Sequence, residues 1–290
     1  MKPVILGILI LSIIAANGQN KDRTAAPTPS FSDANITTVT VPSSSAGKAV
    51  IPVDLYVPVS KKINGDILVL PGWKFTRTRW HKETDLLTFA AKYGYRCVFP
   101  EMNTSCYESS WFPETRLKWS AMPGGKWIQD ILIPYMRKNH GVFAEGGYNC
   151  LLGLSTGGRG VALVSLQNPG IFKAGAALSG DFNQTTMPND NLMTALYGNI
   201  SNFRERWRTT DNPFEAAKEG KWEMPIYIGH GEKDTIVPFS QSADFYKLLA
   251  EKYPEIKTVF HASASKHDFA YWDSELPAVF DFFEDIRKSK

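Results

Sequence analysis

The chain has 290 residues, 43% hydrophobic and 21% charged, which is enough apolar content to bury the core of one sizeable domain. A net charge of +3 and an isoelectric point near 8.6 are only mildly basic, and no Lys/Arg run alternates with aromatic residues, so composition argues against a nucleic-acid partner. Cysteines and histidines do not recur at ligand spacing, so the sequence implies no metal and no cofactor.

The first element is a leader. Met1 and Lys2 make a short basic start, Val4 to Ala16 form a 13-residue apolar core, and Ala16-Asn17-Gly18 supplies the small residues that a signal peptidase requires. The stretch is shorter than the roughly 18 apolar residues needed to span a bilayer. Residues 1–18 therefore read as the signal peptide of a secreted or periplasmic protein, with no stable membrane anchor once it is cleaved. Residues 19–33, rich in Thr, Ser, Pro and Ala, read as a linker, and 34–290 as a single catalytic domain. Four Asn-x-Ser/Thr sequons, at Asn35, Asn103, Asn183 and Asn199, matter only in a host that glycosylates them.

Ile36 to Val41 and Ala49 to Val57 alternate apolar and polar residues around a Ser-Ser-Ser-Ala-Gly turn, the pattern of an antiparallel entry hairpin. Strand patterns at Ile67, Cys97, Leu151, Ala176, Ile226 and Val259 then alternate with helical patterns at Thr84 to Tyr93, Trp127 to Lys138, Arg159 to Gln167, Ser240 to Tyr253 and Glu275 to Lys288. This predicts an α/β fold, a mostly parallel twisted sheet with helices on both faces. In the last helix Leu276, Val279, Phe280 and Phe283 share one face, with Pro277 expected in the first turn. Two long excursions leave the carboxyl edge of the sheet. Met102 to Lys126 is aromatic, and its Trp111 and Phe112 are candidates for a substrate wall; Phe182 to Glu223 opens with a polar run, Asn183 to Asn191.

The apolar strand Tyr148 to Leu154 stops at Ser155, with Gly153 and Gly157 two residues to either side. A sharp turn from strand to helix needs this room, and it projects the hydroxyl from the sheet edge. Such a serine becomes a nucleophile when an acid and a histidine occupy later loops on the same edge. The strand Pro225 to Gly229 runs into His230-Gly231-Glu232-Lys233-Asp234, and Thr258 to His261 runs into a polar loop carrying His267. Asp234 is the preferred acid, with Glu232 beside it and Asp181 after Ala174 to Ser179 as alternatives. Among the histidines, His81 and His140 are expected at the surface and His230 on backbone partners. His261 is a candidate supporting residue, and His267 is the expected base.

The run Gly153-Leu154-Ser155-Thr156-Gly157-Gly158, followed by Asn168-Pro169-Gly170-Ile171-Phe172-Lys173-Ala174 and Leu178-Ser179-Gly180, resembles the esterase family that includes esterase D, tributyrin esterases, feruloyl esterase domains and mycolyltransferases. So does His267-Asp268-Phe269-Ala270-Tyr271-Trp272, running into Leu276-Pro277 and Phe282-Phe283. The similarity extends from about Ser44 to Arg287. It implies an alpha/beta-hydrolase fold and hydrolysis of carboxylic esters by Ser155, Asp234 and His267. It also implies an oxyanion hole of the Thr156 and Trp73 N–H groups, although Pro71-Gly72-Trp73 stands where many relatives carry His-Gly. A short-acyl or carbohydrate-linked ester is the expected substrate. A serine peptidase or acyltransferase shares the covalent step, and a silent ligand-binding domain is the alternative of another class.

Of the three cysteines, Cys97 and Cys150 lie on strands that the strand order of the hydrolases this chain resembles would put on either side of the Ile67 strand. Two strand spacings separate them by about 9 to 10 Å, beyond disulfide reach. They read as buried thiols, with Cys106 in a loop.

Overall fold

Eight strands build one sheet: β1 (Ile36–Pro42), β2 (Val50–Tyr56), β3 (Gly65–Leu70), β4 (Tyr95–Pro100), β5 (Asn149–Leu154), β6 (Ala174–Leu178), β7 (Ile226–Gly231) and β8 (Thr258–Ser263). This computed structural model describes residues 35–45, 49–59 and 62–289; the expected signal peptide at 1–18 and linker at 19–33 lie outside the described residues. The sheet order is β1-β2-β4-β3-β5-β6-β7-β8. β1 pairs antiparallel with β2, from Ile36 opposite Tyr56 to Pro42 opposite Val50, and β2 pairs antiparallel with β4. All later neighbours are parallel. This is the expected alpha/beta-hydrolase architecture with its N-terminal hairpin.

The strands read as continuous apolar runs because both faces are covered. In β3, Ile67 and Val69 enter one core while Leu68 and Leu70 enter the other. The first core packs β3 against α2 (Leu86–Tyr93) and α10 (Phe269–Lys288). The second packs it against α5 (Thr156–Gln167), α9 (Ser240–Lys252) and a run formed by α3 (Gly124–Trp127), a π-helical turn (Ile128–Leu132) and α4 (Ile133–His140). Ile67 pairs with Cys97 on one side and Cys150 on the other, and Cys97, Cys106 and Cys150 are buried and form no disulfide.

Two expectations about the last helix need correction. The last helix begins at Phe269, not Glu275, because the Asp268 side chain accepts the Tyr271 N–H and caps it. Pro277 therefore lies inside the helix and not in its first turn. It sits on the exposed face, and its cost of about 3 kcal/mol is outweighed by burial of Tyr271, Trp272, Leu276, Val279, Phe280 and Phe283 at about 1.5–3 kcal/mol each. The polar excursion holds three helices, α6 (Asn191–Tyr197), α7 (Ile200–Thr209) and α8 (Pro213–Lys218), capped by the side chains of Asp190, Asn199 and Asn212. Its polar residues were cap signals as much as surface.

His81, expected at the surface, lies on α1 (Arg79–Glu83) with its side chain only 6% exposed. Its ring meets Phe99 edge-on at 5.3 Å, and its Nε2 lies 3.8 Å from Asp54 Oδ2 on β2. Asp54 also accepts the Thr38 hydroxyl at 2.6 Å and faces Arg77 Nε at 3.0 Å. Burial raises the Asp54 pKa, but the nearby His81, the Thr38 hydroxyl and the Arg77 guanidinium outweigh it and bring the carboxyl down to about 2. A depressed carboxyl contributes stability that is present above its ordinary pKa of 3.8 and is lost as pH falls toward 2. Asp54→Asn is accordingly expected to flatten the loss of stability between pH 5 and pH 2, as read by urea unfolding across that range.

Candidate active site

The site begins with a turn that almost no other sequence could make. Between β5 and α5, Ser155 adopts φ 54° and ψ −124°. A Cβ on Gly153 would lie 2.1 Å from the Gly157 carbonyl oxygen, and one on Gly157 2.2 Å from the Leu70 carbonyl oxygen. Both positions therefore exclude any side chain. Such backbone strain costs on the order of 1–3 kcal/mol, and hydrogen bonds on both sides hold it: Ser155 N–H donates to Leu178 O at 2.9 Å, and Arg159 N–H to Ser155 O at 3.2 Å. Ser155 is left 8% exposed at the sheet edge. The helix starts at Thr156, three residues before the apolar pattern suggested, because its first turn is made of glycines that carry no hydrophobic signal.

Asp234 and His267 arrive from the loops after β7 and β8. The loops are stapled together by Glu232 N–H to Ser263 O at 2.7 Å and Lys233 N–H to Ser265 O at 2.9 Å. His267 Nε2 lies 3.0 Å from Ser155 Oγ, and its Nδ1 lies 2.6 Å from Asp234 Oδ2. Asp234 Oδ1 accepts the backbone N–H groups of Ile236 at 2.8 Å and Val237 at 2.9 Å. Burial pushes the Asp234 pKa up, yet hydrogen bonds from His230, His267 and the Val237 N–H more than offset this and hold the carboxyl well below the usual range. An ionised Asp234 only accepts, so the His267 proton resides on Nδ1 and leaves Nε2 free to accept the serine hydroxyl. Trp272, which sequence reasoning did not single out, meets the His267 ring edge-on at 5.0 Å and anchors its own indole N–H on Ser179 Oγ at 3.2 Å.

The alternatives part company here. Asp181 is buried in an ion pair with Arg159 at 2.9 Å, and Glu232 is exposed. His261 is 53% exposed and bonded to Glu275, His140 tilts against Tyr135, and neither contacts Ser155 or Asp234. His230 lies in β7 and not in a turn; it bonds a backbone partner, Val237 O, as expected, but it also approaches Asp234.

Two backbone donors border the serine. Thr156 is the first residue of α5, so its N–H has no acceptor within the helix. The Pro71-Gly72-Trp73 turn lies against the elbow, since a Cβ on Gly72 would be 3.2 Å from Ser155 Cβ. Lys74 N–H to Asn103 O at 2.7 Å and Phe75 N–H to Gly72 O at 3.0 Å hold that turn. Among the described residues the Trp73 N–H has no acceptor.

Over this edge the two excursions form a cap. Cys106, Met193, Leu196, Tyr197 and Trp207 make its core, with Trp73, Phe112 and Leu117 packed against it. Phe112 meets Tyr197 edge-on and lies beneath the Arg206 guanidinium, so it is a packed cap residue. Trp111 donates its indole N–H to Glu108 at 3.2 Å, with Lys118 over its ring. Among the described residues the ring that meets His267 is Trp272, not Trp111 or Phe112.

Two buried charges, neither foreseen from the sequence, organise the cap. Glu108 accepts the N–H groups of Cys106 at 3.0 Å and Gly124 at 3.2 Å, and burial raises its pKa. Arg159, four residues after Ser155 and fully buried, donates to Asp181, to Gln184 at 3.0 Å and to the Asp211 carbonyl. Asp211 in turn accepts Ser109 N–H at 2.9 Å from the other excursion.

The doubly covered sheet, the strained serine and the histidine and carboxylate aligned behind it define an alpha/beta-hydrolase with a serine-hydrolase constellation. The chain belongs to the Putative esterase family, whose model matches residues 113–283, and is a serine hydrolase directed at carboxylic esters. No curated protein sequence matches the chain. Solved structures with this fold include the fluorophosphonate-binding serine hydrolase FphF of Staphylococcus aureus, substrate bound, at 16% identity and TM-score 0.66, with 87% of this chain and 98% of that one covered. The S-formylglutathione hydrolase FrmB of Staphylococcus aureus is similar at 18% identity and TM-score 0.67, covering 87% and 99%. A ferulic acid esterase is similar at 17% identity and TM-score 0.65, with the same coverage. At these identities the likeness is one of fold.

Arg159→Met should destabilise the protein by about 3–5 kcal/mol, because it leaves the Asp181 charge buried without its partner. Asp181→Asn added to Arg159→Met should recover part of that loss in urea unfolding; a double variant as unstable as the single one would mean that the charge is not the cause.

Proposed function

We propose that the protein is an exported carboxylesterase that hydrolyses short-acyl or carbohydrate-linked esters through an acyl-enzyme on Ser155. The observation that carries this reading is the unbroken chain of contacts from Ser155 Oγ through the His267 ring to Asp234. In the first half-reaction His267 Nε2 takes the hydroxyl proton as Oγ bonds the ester carbonyl carbon, and the carbonyl π electrons move to oxygen. The Thr156 and Trp73 N–H groups receive that oxyanion; removing one such donor typically costs about 10²–10³ in kcat. Collapse breaks the bond to the alcohol oxygen, which leaves with the proton from His267. Water then repeats the sequence on the acyl-enzyme and releases the acid and the free serine. Asp234 stays ionised throughout and stabilises the imidazolium.

Export rests on the leader at residues 1–18, and no helix among the described residues is long and apolar enough to cross a membrane. Secretion of a chain that starts at Gln19 is the outcome that checks it, by N-terminal sequencing.

Ser155→Ala should abolish hydrolysis of short-chain p-nitrophenyl esters and labelling by a fluorophosphonate, with little change in stability. A folded variant with wild-type turnover removes Ser155 as nucleophile.

Support for a short acyl group comes from the cap: Trp73 belongs both to the turn beside Ser155 and to the apolar cap cluster, so bulky rings start at the serine. The exposed polar side chains of Asn189 and Asn191, at the head of the second excursion, favour a hydroxylated alcohol such as a sugar. We expect kcat/KM to fall from acetyl and butyryl to octanoyl esters, and Trp111→Ala to widen the accepted range by loosening the Glu108 anchor. A rate that climbs through octanoyl overturns the short-acyl reading.

A further inference from the structure

A second histidine meets the carboxylate that orients His267. His230 is the penultimate residue of β7, four residues before Asp234, with its side chain fully buried. Its Nδ1 lies 2.7 Å from Ser242 Oγ on α9, and Phe239 covers the ring edge-on at 5.7 Å. Its Nε2 lies 3.1 Å from Val237 O and 3.3 Å from Asp234 Oδ2. Both neighbours of Nε2 are acceptors only, one a carbonyl and the other a carboxylate held ionised. The proton therefore sits on Nε2, and Nδ1 accepts from the Ser242 hydroxyl.

That tautomer places the positive end of an N–H dipole beside Oδ2, the same oxygen that accepts His267 Nδ1–H. Val237 completes the frame, since its N–H holds Oδ1 at 2.9 Å while its carbonyl holds His230. Among the described residues no lysine or arginine pairs with Asp234; the ionisable groups that face it are His230, His267 and the buried Tyr271 hydroxyl of α10. We propose that His230 is a positioning residue of the hydrolase, fixing the Asp234 carboxylate and sharing its charge so that His267 is held in line without being over-stabilised as imidazolium. This rests on the reading of Ser155, His267 and Asp234 as the reacting residues.

The sign of the effect follows from charge sharing. Without the His230 N–H, more of the carboxylate charge is available to His267, its protonated form gains, and the limb on which activity rises moves to higher pH. His230→Leu is expected to shift the midpoint of that limb in kcat/KM upward by about half a pH unit to one unit and to lower kcat roughly tenfold, with KM little changed. His230→Gln returns an amide N–H close to the Nε2 position and is expected to restore the midpoint and most of kcat. A histidine that merely fills space would give equal losses in both variants with an unmoved midpoint, and that result overturns the proposal.

If His230→Leu does not fold, the wild-type protein still decides the question through ¹⁵N imidazole NMR. His230 should show the Nε2–H tautomer and should respond when a fluorophosphonate blocks Ser155. An Nδ1–H tautomer, or no response, overturns the proposal. Failure of the underlying reading looks different: Ser155→Ala would retain turnover, whereas an inactive Ser155→Ala beside an unmoved His230→Leu midpoint sinks the positioning role alone.

Discussion

Everything in this site hangs on one close approach, the packing of the first turn of α5 against the ends of β3 and β5. Gly157 stands where a methyl group would meet the Leu70 carbonyl at 2.2 Å, and Gly153 where it would meet Gly157 at 2.1 Å. Because the helix can come that near, Ser155 is driven into a left-handed conformation and its hydroxyl is raised to the sheet edge. The strain is local, and it is held by the Ser155 N–H bond to β6 and by a core buried on both faces of the sheet. The same contact brings the Pro71-Gly72-Trp73 turn beside the serine, so the Ser155 hydroxyl and the Thr156 and Trp73 N–H groups are placed by one packing event.

A second layer of order comes from charge that is expensive to bury. Arg159 and Asp181 are both removed from water directly beneath the elbow, and such a pair gains little net stability over apolar residues of the same size. Its effect is specificity of arrangement. A guanidinium with donors spread in a plane ties α5 to the start and middle of the second excursion through Asp181, Gln184 and the Asp211 carbonyl. Asp211 and Glu108 then tie in the first excursion through backbone N–H groups. A cap assembled in this way is held in one arrangement.

The acid loop repeats this economy on a smaller scale. Asp234 uses all its acceptor capacity, two backbone N–H groups on one oxygen and two imidazoles around the other. Its ionised form is stabilised before any substrate arrives, so the cost of orienting His267 is met during folding and not in the transition state.

The elbow, the α/β alternation and the order of serine, aspartate and histidine were legible from the sequence, because each is written in local terms: glycines around a serine, apolar runs between turns, and loops that a parallel sheet must open on one edge. The sequence favoured Asp234 over Asp181 as the acid without separating the two. Both follow a strand, and only the packing of Arg159 against Asp181 shows that one carboxylate is already committed. His81 and Pro277 were misjudged for the same reason, since their neighbours, Asp54 on β2 and the Asp268 cap, are distant in sequence or lie before the apolar pattern begins. The contacts of Glu108, Trp272 and His230 became visible only in the tertiary structure. The sequence determines what each segment can become; which buried polar group meets which depends on contacts across tens of residues, and no local pattern encodes them.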